Sequence, residues 1–215
     1  MKKNVPYRTN EQIWLEVDRF RLVVGVEPNL GPPVETVAIA ELALRLNAVR
    51  FPGLFARFKQ DAAITPDLID LDIDAEAYDA FEAKNDWVSN RLRFSVAHEL
   101  GHFFLHAEEI RANRFASRQE FKAWMGDRTH SITPEYQADE FAGRLLVPRE
   151  VLIEWYDRHV EVAKGNDAEW WQHTGARTKL ARKIAPRFGV NYQVIETRLD
   201  REGLWPADGM LHNAD

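Results

Sequence analysis

Residues 98–102 read His98-Glu99-Leu100-Gly101-His102, inside a run where Phe94, Ala97, Leu100, Gly101, Phe104 and Leu105 recur at helical spacing. That run predicts a largely buried helix with its imidazoles on one restricted face. Histidines four apart on a helix lie one turn above each other, about 6 Å apart, so both rings can reach one cation. The carboxylate between them can then lean over a water activated by that cation and act as its general base.

Composition narrows the donors. The chain of 215 residues has no cysteine, which excludes disulfides and thiolate-ligated metal, leaving histidine and carboxylate. Its length suits one domain, or one domain with a small appendage, and can bury a core without metal staples. The basic start at Lys2 and Lys3 is followed by no apolar core, and no run approaches the roughly 18–20 apolar residues of a membrane span. A cytoplasmic protein with no membrane partner is the expectation. Net charge is −6, with no global nucleic-acid signature. Charge is uneven, however: 61–86 is acidic around a single Lys84, and 177–201 carries seven basic residues against Glu196 and Asp200.

Helix starts and stops organise the rest. Thr9 and Gln12 have capping-box spacing ahead of an apolar stripe at Ile13, Val17, Phe20 and Val24. Gly31-Pro32-Pro33 breaks the chain before a second helix, Glu35 to Leu46, and a short strand is expected at Ala48 to Phe51. Ile69 to Asp74 alternates perfectly, as a half-buried strand does, with its aspartates turned to solvent or a cleft. The motif helix is expected from Asn90 to Glu109 with Ser89 as N-cap. A short helix from Ser117–Glu120 to Gly126 follows. Thr133-Pro134 then starts a helix ending near Val147, since Pro148 cannot continue it. A further helix covers Arg149 to Val160, a polar loop runs from Glu161 to Gly175, and a last helical pair is broken at Gly189.

A catalytic zinc takes three protein ligands and keeps one position for water. His98 and His102 are two of them. His106 shares their face but lies eight residues from His98, about 12 Å along the axis, and cannot share one ion with it. It reads as structural or as part of a cleft rim. The long metzincin pattern is absent, because Leu105 and Glu108 occupy its glycine and third-histidine positions. Glu135 is the better third ligand. Asp139, four residues on and on the same helix face, is placed to accept the distal N–H of a ligand imidazole, His98 by preference. Glu140 points about a hundred degrees away and is expected to pair with Arg144 at the surface.

Arg93-Phe94-Ser95-Val96-Ala97-His98-Glu99-Leu100-Gly101-His102 with Leu105-His106 resembles the signature "RFTLAHELGHxxLH" of the ImmA/IrrE metallopeptidases. Glu135-Tyr136-Gln137-Ala138-Asp139-Glu140-Phe141-Ala142 through Pro148 resembles that family's second helix, with Gln137 for its usual Glu, Asp139 for Asn and Val147 for Met. The resemblance, looser outside these motifs, runs from about Thr9 to Leu204. It implies an α+β, mostly helical minimal zincin with a small twisted sheet over the active-site helix. The expected organisation is a peptidase core over 1–160, a C-terminal helical segment over 161–203 packed on it, and a frayed tail over 204–215. It further implies one zinc ion, with manganese or another divalent ion possible, and a regulatory role. The implied substrate is a helix-turn-helix repressor encoded nearby, in a mobile element, a toxin–antitoxin pair or a stress response.

In that scheme Glu99 shuttles the proton, and strand 69–74 offers its edge to an extended substrate, its aspartates favouring a basic segment. The oxyanion donor is left open among His130, Tyr156, His159 and His173, and Trp170-Trp171 caps the core or walls the substrate site. Two other readings stand beside this one. Leu180 to Leu199 has the cadence of a helix-turn-helix and would make the chain a DNA-binding regulator, although Pro186 falls late in its first helix. A metal-holding partner protein that does not cut is the other.

Overall fold

The computed structural model describes residues 5–27, 33–83, 86–125, 133–167 and 169–205. By contacts the chain divides into two compact units, Met1–Glu27 with Val34–Leu146 and Pro28–Pro33 with Val147–Asp215.

In the first unit, α1 (Asn10–Val24) starts at the capping box of Thr9 and Gln12 and stops at Gly25, whose φ of 69° is left-handed. Ile13, Val17 and Phe20 are buried as the stripe predicts. Arg21 is buried with them, a feature the stripe does not announce, and donates to the backbone carbonyls of Arg144 and Leu145. Short α2 (Thr36–Ala38) runs into a π-helical turn, Ile39–Ala43. Then come β1 (Asn47–Phe51), α3 (Leu54–Phe58), β2 (Ala62–Ile64), β3 (Asp70–Asp74), α4 (Ala75–Glu82), α5 (Asp86–Leu105), α6 (Ala107–Ala112), α7 (Arg118–Met125) and α8 (Pro134–Leu146). The fold is α+β and mostly helical, with one small mixed sheet of order β1-β3-β2, β1 parallel and β2 antiparallel to β3.

Three sequence expectations change here. The alternating segment at 69–74 is the central strand, not an edge, so Asp72 and Asp74 are buried rather than facing solvent or a cleft. Asp72 takes the Arg118 guanidinium, and Asp74 caps α4 through Ala77 N while also accepting from Phe55 N. A buried carboxylate is tolerated because each has charged or N–H partners. The edge belongs instead to β2, whose three residues are too short for a periodic signal. The motif helix, α5, starts earlier than Ser89, which lies inside it, and ends at Leu105, with α6 beyond the break.

The core around α5 is aromatic and tightly keyed. Phe20 of α1 meets Phe104 of α5 and Phe141 of α8 edge-on, at 5.2 Å between centroids in both cases. Such geometry adds about 0.5–1.5 kcal/mol per pair to the burial itself.

In the second unit, α9 (Arg149–Asn166) outruns the Val160 end expected from sequence, converting part of the polar loop into helix. A 3-10 turn, Trp170–Gln172, leads to α10 (Ala176–Phe188), Gly189 with φ 59°, and α11 (Tyr192–Arg201). α9 packs on α10 within this unit. Glu202, its side chain enclosed, joins Arg149 of α9 to Arg198 of α11. Among the described residues no helix is long and apolar enough to cross a membrane.

Candidate metal centre

α5 is largely buried along its second half, and its motif side chains are buried with it: His98, Glu99 and His102 are 3%, 6% and 1% exposed. Ionisable groups persist at that depth only with partners. The partners come from α8, which Thr133 starts by accepting from Tyr136 N, with Pro134 in the first turn.

His98 Nε2 and His102 Nε2 lie 2.9 Å apart. Glu135 sets one carboxylate oxygen 3.4 Å from the first nitrogen and the other 3.6 Å from the second. On the far side of His98, Asp139 Oδ1 is 2.8 Å from Nδ1. Asp139, a carboxylate, accepts, so His98 carries a proton on Nδ1, and a cation bound between His98, His102 and Glu135 would take the Nε2 lone pair. Burial alone would lower the His98 imidazole, but Asp139 and Glu135 push it up to about 10. Burial would raise Glu135, but hydrogen bonds with His102 and His98 hold it well below the usual carboxylate range. The carboxylates of Asp139 and Glu135 beside these two rings suit a cation. Two donors about 2.1 Å from one ion lie at most about 4.2 Å apart, and all three separations fall inside that span. The residues therefore fit a divalent ion: His98, His102 and Glu135 offer donor atoms within 4.8 Å of one another.

Glu99 turns its Oε2 to the backbone N–H of Ile64, 2.9 Å away on β2. Burial raises its pKa, opposed by the charges of His102 and His98. The Asp61–Asp74 and Thr65–Asp70 backbone bonds to β3 leave the Ile64 N–H on the opposite, outer edge of β2. A cleft lined by Ala63, Ile64, Arg118, Phe121, Glu99, His102 and Glu135 opens there.

His106 is fully buried, with Nδ1 3.2 Å from His102 Nδ1 and Nε2 3.2 Å from Gln137 Oε1. Burial and the neighbouring His102 hold its pKa well below the imidazole range. Glu140 and Arg144 are buried, which corrects the surface position expected of them; Trp14 Nε1 donates to Glu140, and the Arg144 guanidinium lies 5.4 Å over the Trp14 ring. Of the oxyanion candidates, His130 lies outside the described residues, and Tyr156, His159 and His173 belong to the second unit.

The Peptidase_M78 family model, described as the IrrE N-terminal-like domain, matches residues 88–200, more than half of the chain. The chain belongs to this family. ImmA/IrrE membership makes it a member of a metallopeptidase family, and the matched span holds α5 from its third residue, α8 and every residue of the cluster. No curated protein and no solved structure matches it. In this M78 member the second helical pair is engaged internally. Arg198 is buried against Glu202, and Arg177 binds Glu196 O and Asp200, so α11 turns Gln193, Thr197 and Asp200 outward.

Gly101 explains how α8 comes close enough to contribute. A methyl there would stand 3.1 Å from Ala138 Cα and 3.2 Å from Phe141 Cβ, both too fixed to swing aside. Gly101→Ala gains about 1 kcal/mol of helix propensity. It loses about 1–3 kcal/mol to overpacking, so a net loss is expected. Because α8 carries Glu135, metal affinity falls with it. Thermal melts and zinc competition check both; an unchanged melt and affinity would show that the close approach does not matter.

Proposed function

We propose that this chain is a zinc-dependent endopeptidase of the gluzincin type, with His98, His102 and Glu135 as metal ligands, Glu99 as general base and Asp139 holding His98. The observation that carries the reading is the convergence of two Nε2 atoms and the Glu135 carboxylate beside Glu99. Bound there, the ion supplies Lewis acidity, bringing a water's pKa towards about 7 and polarising the scissile carbonyl. Glu99 takes the proton of the attacking water and returns it to the leaving amine. Its Oε2 is aimed by the Ile64 N–H, which leaves Oε1 for that exchange. Asp139 keeps the His98 proton on Nδ1, so the opposite nitrogen stays a donor.

The outer edge of β2, not strand 69–74, is the place for an extended substrate, because it borders the cleft containing Glu99. A preference for basic segments loses its basis, since Asp72 and Asp74 are buried and engaged. The substrate we propose is a helix-turn-helix repressor or antitoxin-like protein encoded nearby, cleaved in the cytoplasm. The support is the family resemblance and a narrow, strand-bordered cleft suited to one unfolded segment rather than to generic digestion.

The test is to incubate the protein with the product of the adjacent reading frame, with and without a chelator, and to read fragments by mass spectrometry. Cleavage that stops on chelation and returns with zinc is the expected result. Cleavage indifferent to metal would overturn the proposal.

A further inference from the structure

We infer that His106, Gln137 and Arg8 form a positioning chain that fixes which nitrogen of His102 carries its proton, and so how firmly that imidazole holds a cation. The inference rests on the metal site proposed above and concerns its outer support.

The argument begins at the end farthest from the cleft. Arg8, just ahead of α1, donates from Nη1 to Gln137 Oε1 at 3.0 Å and from Nη2 to the Leu105 carbonyl at 3.0 Å. The other end of the Gln137 amide donates from Nε2 to the Pro6 carbonyl at 3.0 Å. Guanidinium can only donate and a proline carbonyl can only accept. Turning the amide over would set donor against donor and acceptor against acceptor, so its orientation is determined by chemistry. Gln137 Oε1 therefore faces His106 Nε2, 3.2 Å away, as an acceptor, and the His106 proton must sit on Nε2. That leaves a lone pair on His106 Nδ1, which faces His102 Nδ1 at 3.2 Å. His102 in turn must carry its proton on Nδ1. Its Nε2 then presents a lone pair to the site shared with His98 and Glu135.

The inner links are enclosed: His102 is 1% exposed and His106 and Gln137 are 0% exposed, with Arg8 half-buried at the outer end. At these inner links no water need supply a competing partner, and an unmatched donor pair would leave a buried polar group unsatisfied. The two ligand histidines thus have unlike supports. His98 leans directly on a carboxylate four residues beyond Glu135, whereas His102 leans on two neutral side chains, His106 and Gln137, held in turn by the Arg8 guanidinium ahead of α1. A side chain near the start of the sequence thereby sets the donor direction of a ligand in the middle of it.

The decisive measurement uses the zinc-loaded full chain with ¹⁵N-labelled histidine, read by two-bond ¹H–¹⁵N correlation. The expected spectrum has His106 as the neutral Nε2–H form and His102 protonated on Nδ1. His106 protonated on Nδ1 would overturn the chain, with no variant needed. Zinc competition then compares side chains. His106→Leu and Gln137→Met are expected to bind about 10–100-fold more weakly, the usual cost of losing an outer partner. His106→Asn, whose Oδ1 can stand where Nδ1 stood, is expected to recover most of the loss. Equal loss with Asn and Leu would reduce His106 to a packing role, and unchanged affinity in all three would sink the inference while leaving the metal site standing. Absence of zinc binding in the wild-type chain would instead remove the site itself.

Discussion

With Glu99 replaced by glutamine, the protein is expected to keep its metal and its partner and to lose cleavage by about 10²–10⁴-fold, the range attributed to a positioned general base. The substitution is nearly isosteric. Glutamine can still present an oxygen to the Ile64 N–H, so the side chain stays where Glu99 is held. What it cannot do is take a proton from water. Glu99 is not among the three donors that converge, so metal content should match wild type. Removing a buried carboxylate beside two imidazoles changes local charge, but that group is buried at a desolvation cost, which limits the stability effect. The readout is single-turnover cleavage of the neighbouring repressor, with metal content measured on the same samples. Equal cleavage by both proteins would remove Glu99 from the mechanism.

Glu135→Ala is expected to weaken zinc retention by more than the roughly 10–100-fold that an outer partner contributes, since a direct donor and its charge both go. Glu135 is the anion that both Nε2 atoms face, at 3.4 and 3.6 Å. Glu140→Ala separates ligation from stability. Glu140 is buried and accepts from Trp14, so its removal is expected to lower the melting temperature, yet each folded molecule should still hold its ion. Metal analysis beside thermal denaturation distinguishes the two. Loss of metal from Glu140→Ala with retention in Glu135→Ala would mean that the wrong carboxylate carries the role.

The contrast between these two neighbouring residues shows what helical phase can tell. Spacing of i, i+4 aligns Glu135 with Asp139 and turns Glu140 elsewhere, which follows from 3.6 residues per turn. Phase does not say what awaits Glu140 on its own side. Trp14 comes from a helix over a hundred residues earlier, and no local pattern predicts that contact. His106 is similar. Its distance from His98 along the helix excludes it from a shared ion, but its actual use depends on Gln137 and Arg8, neither of them near it in sequence.

Local sequence determined α1, α8, the body of α5, the motif face and the pair of carboxylates on α8, because caps, proline and apolar period act within a few residues, while short α3, α4 and α6 carried no such signal. The family, too, was legible in the two motifs. Tertiary structure alone decided that 69–74 is the middle strand, that β2 borders the cleft, and that Arg21 and Arg8 end on distant carbonyls and an amide. Sheet order and long-range hydrogen bonds depend on which surfaces meet after collapse. A strand of three residues has no period, and an arginine buried by its partners looks, in sequence, like one left in water.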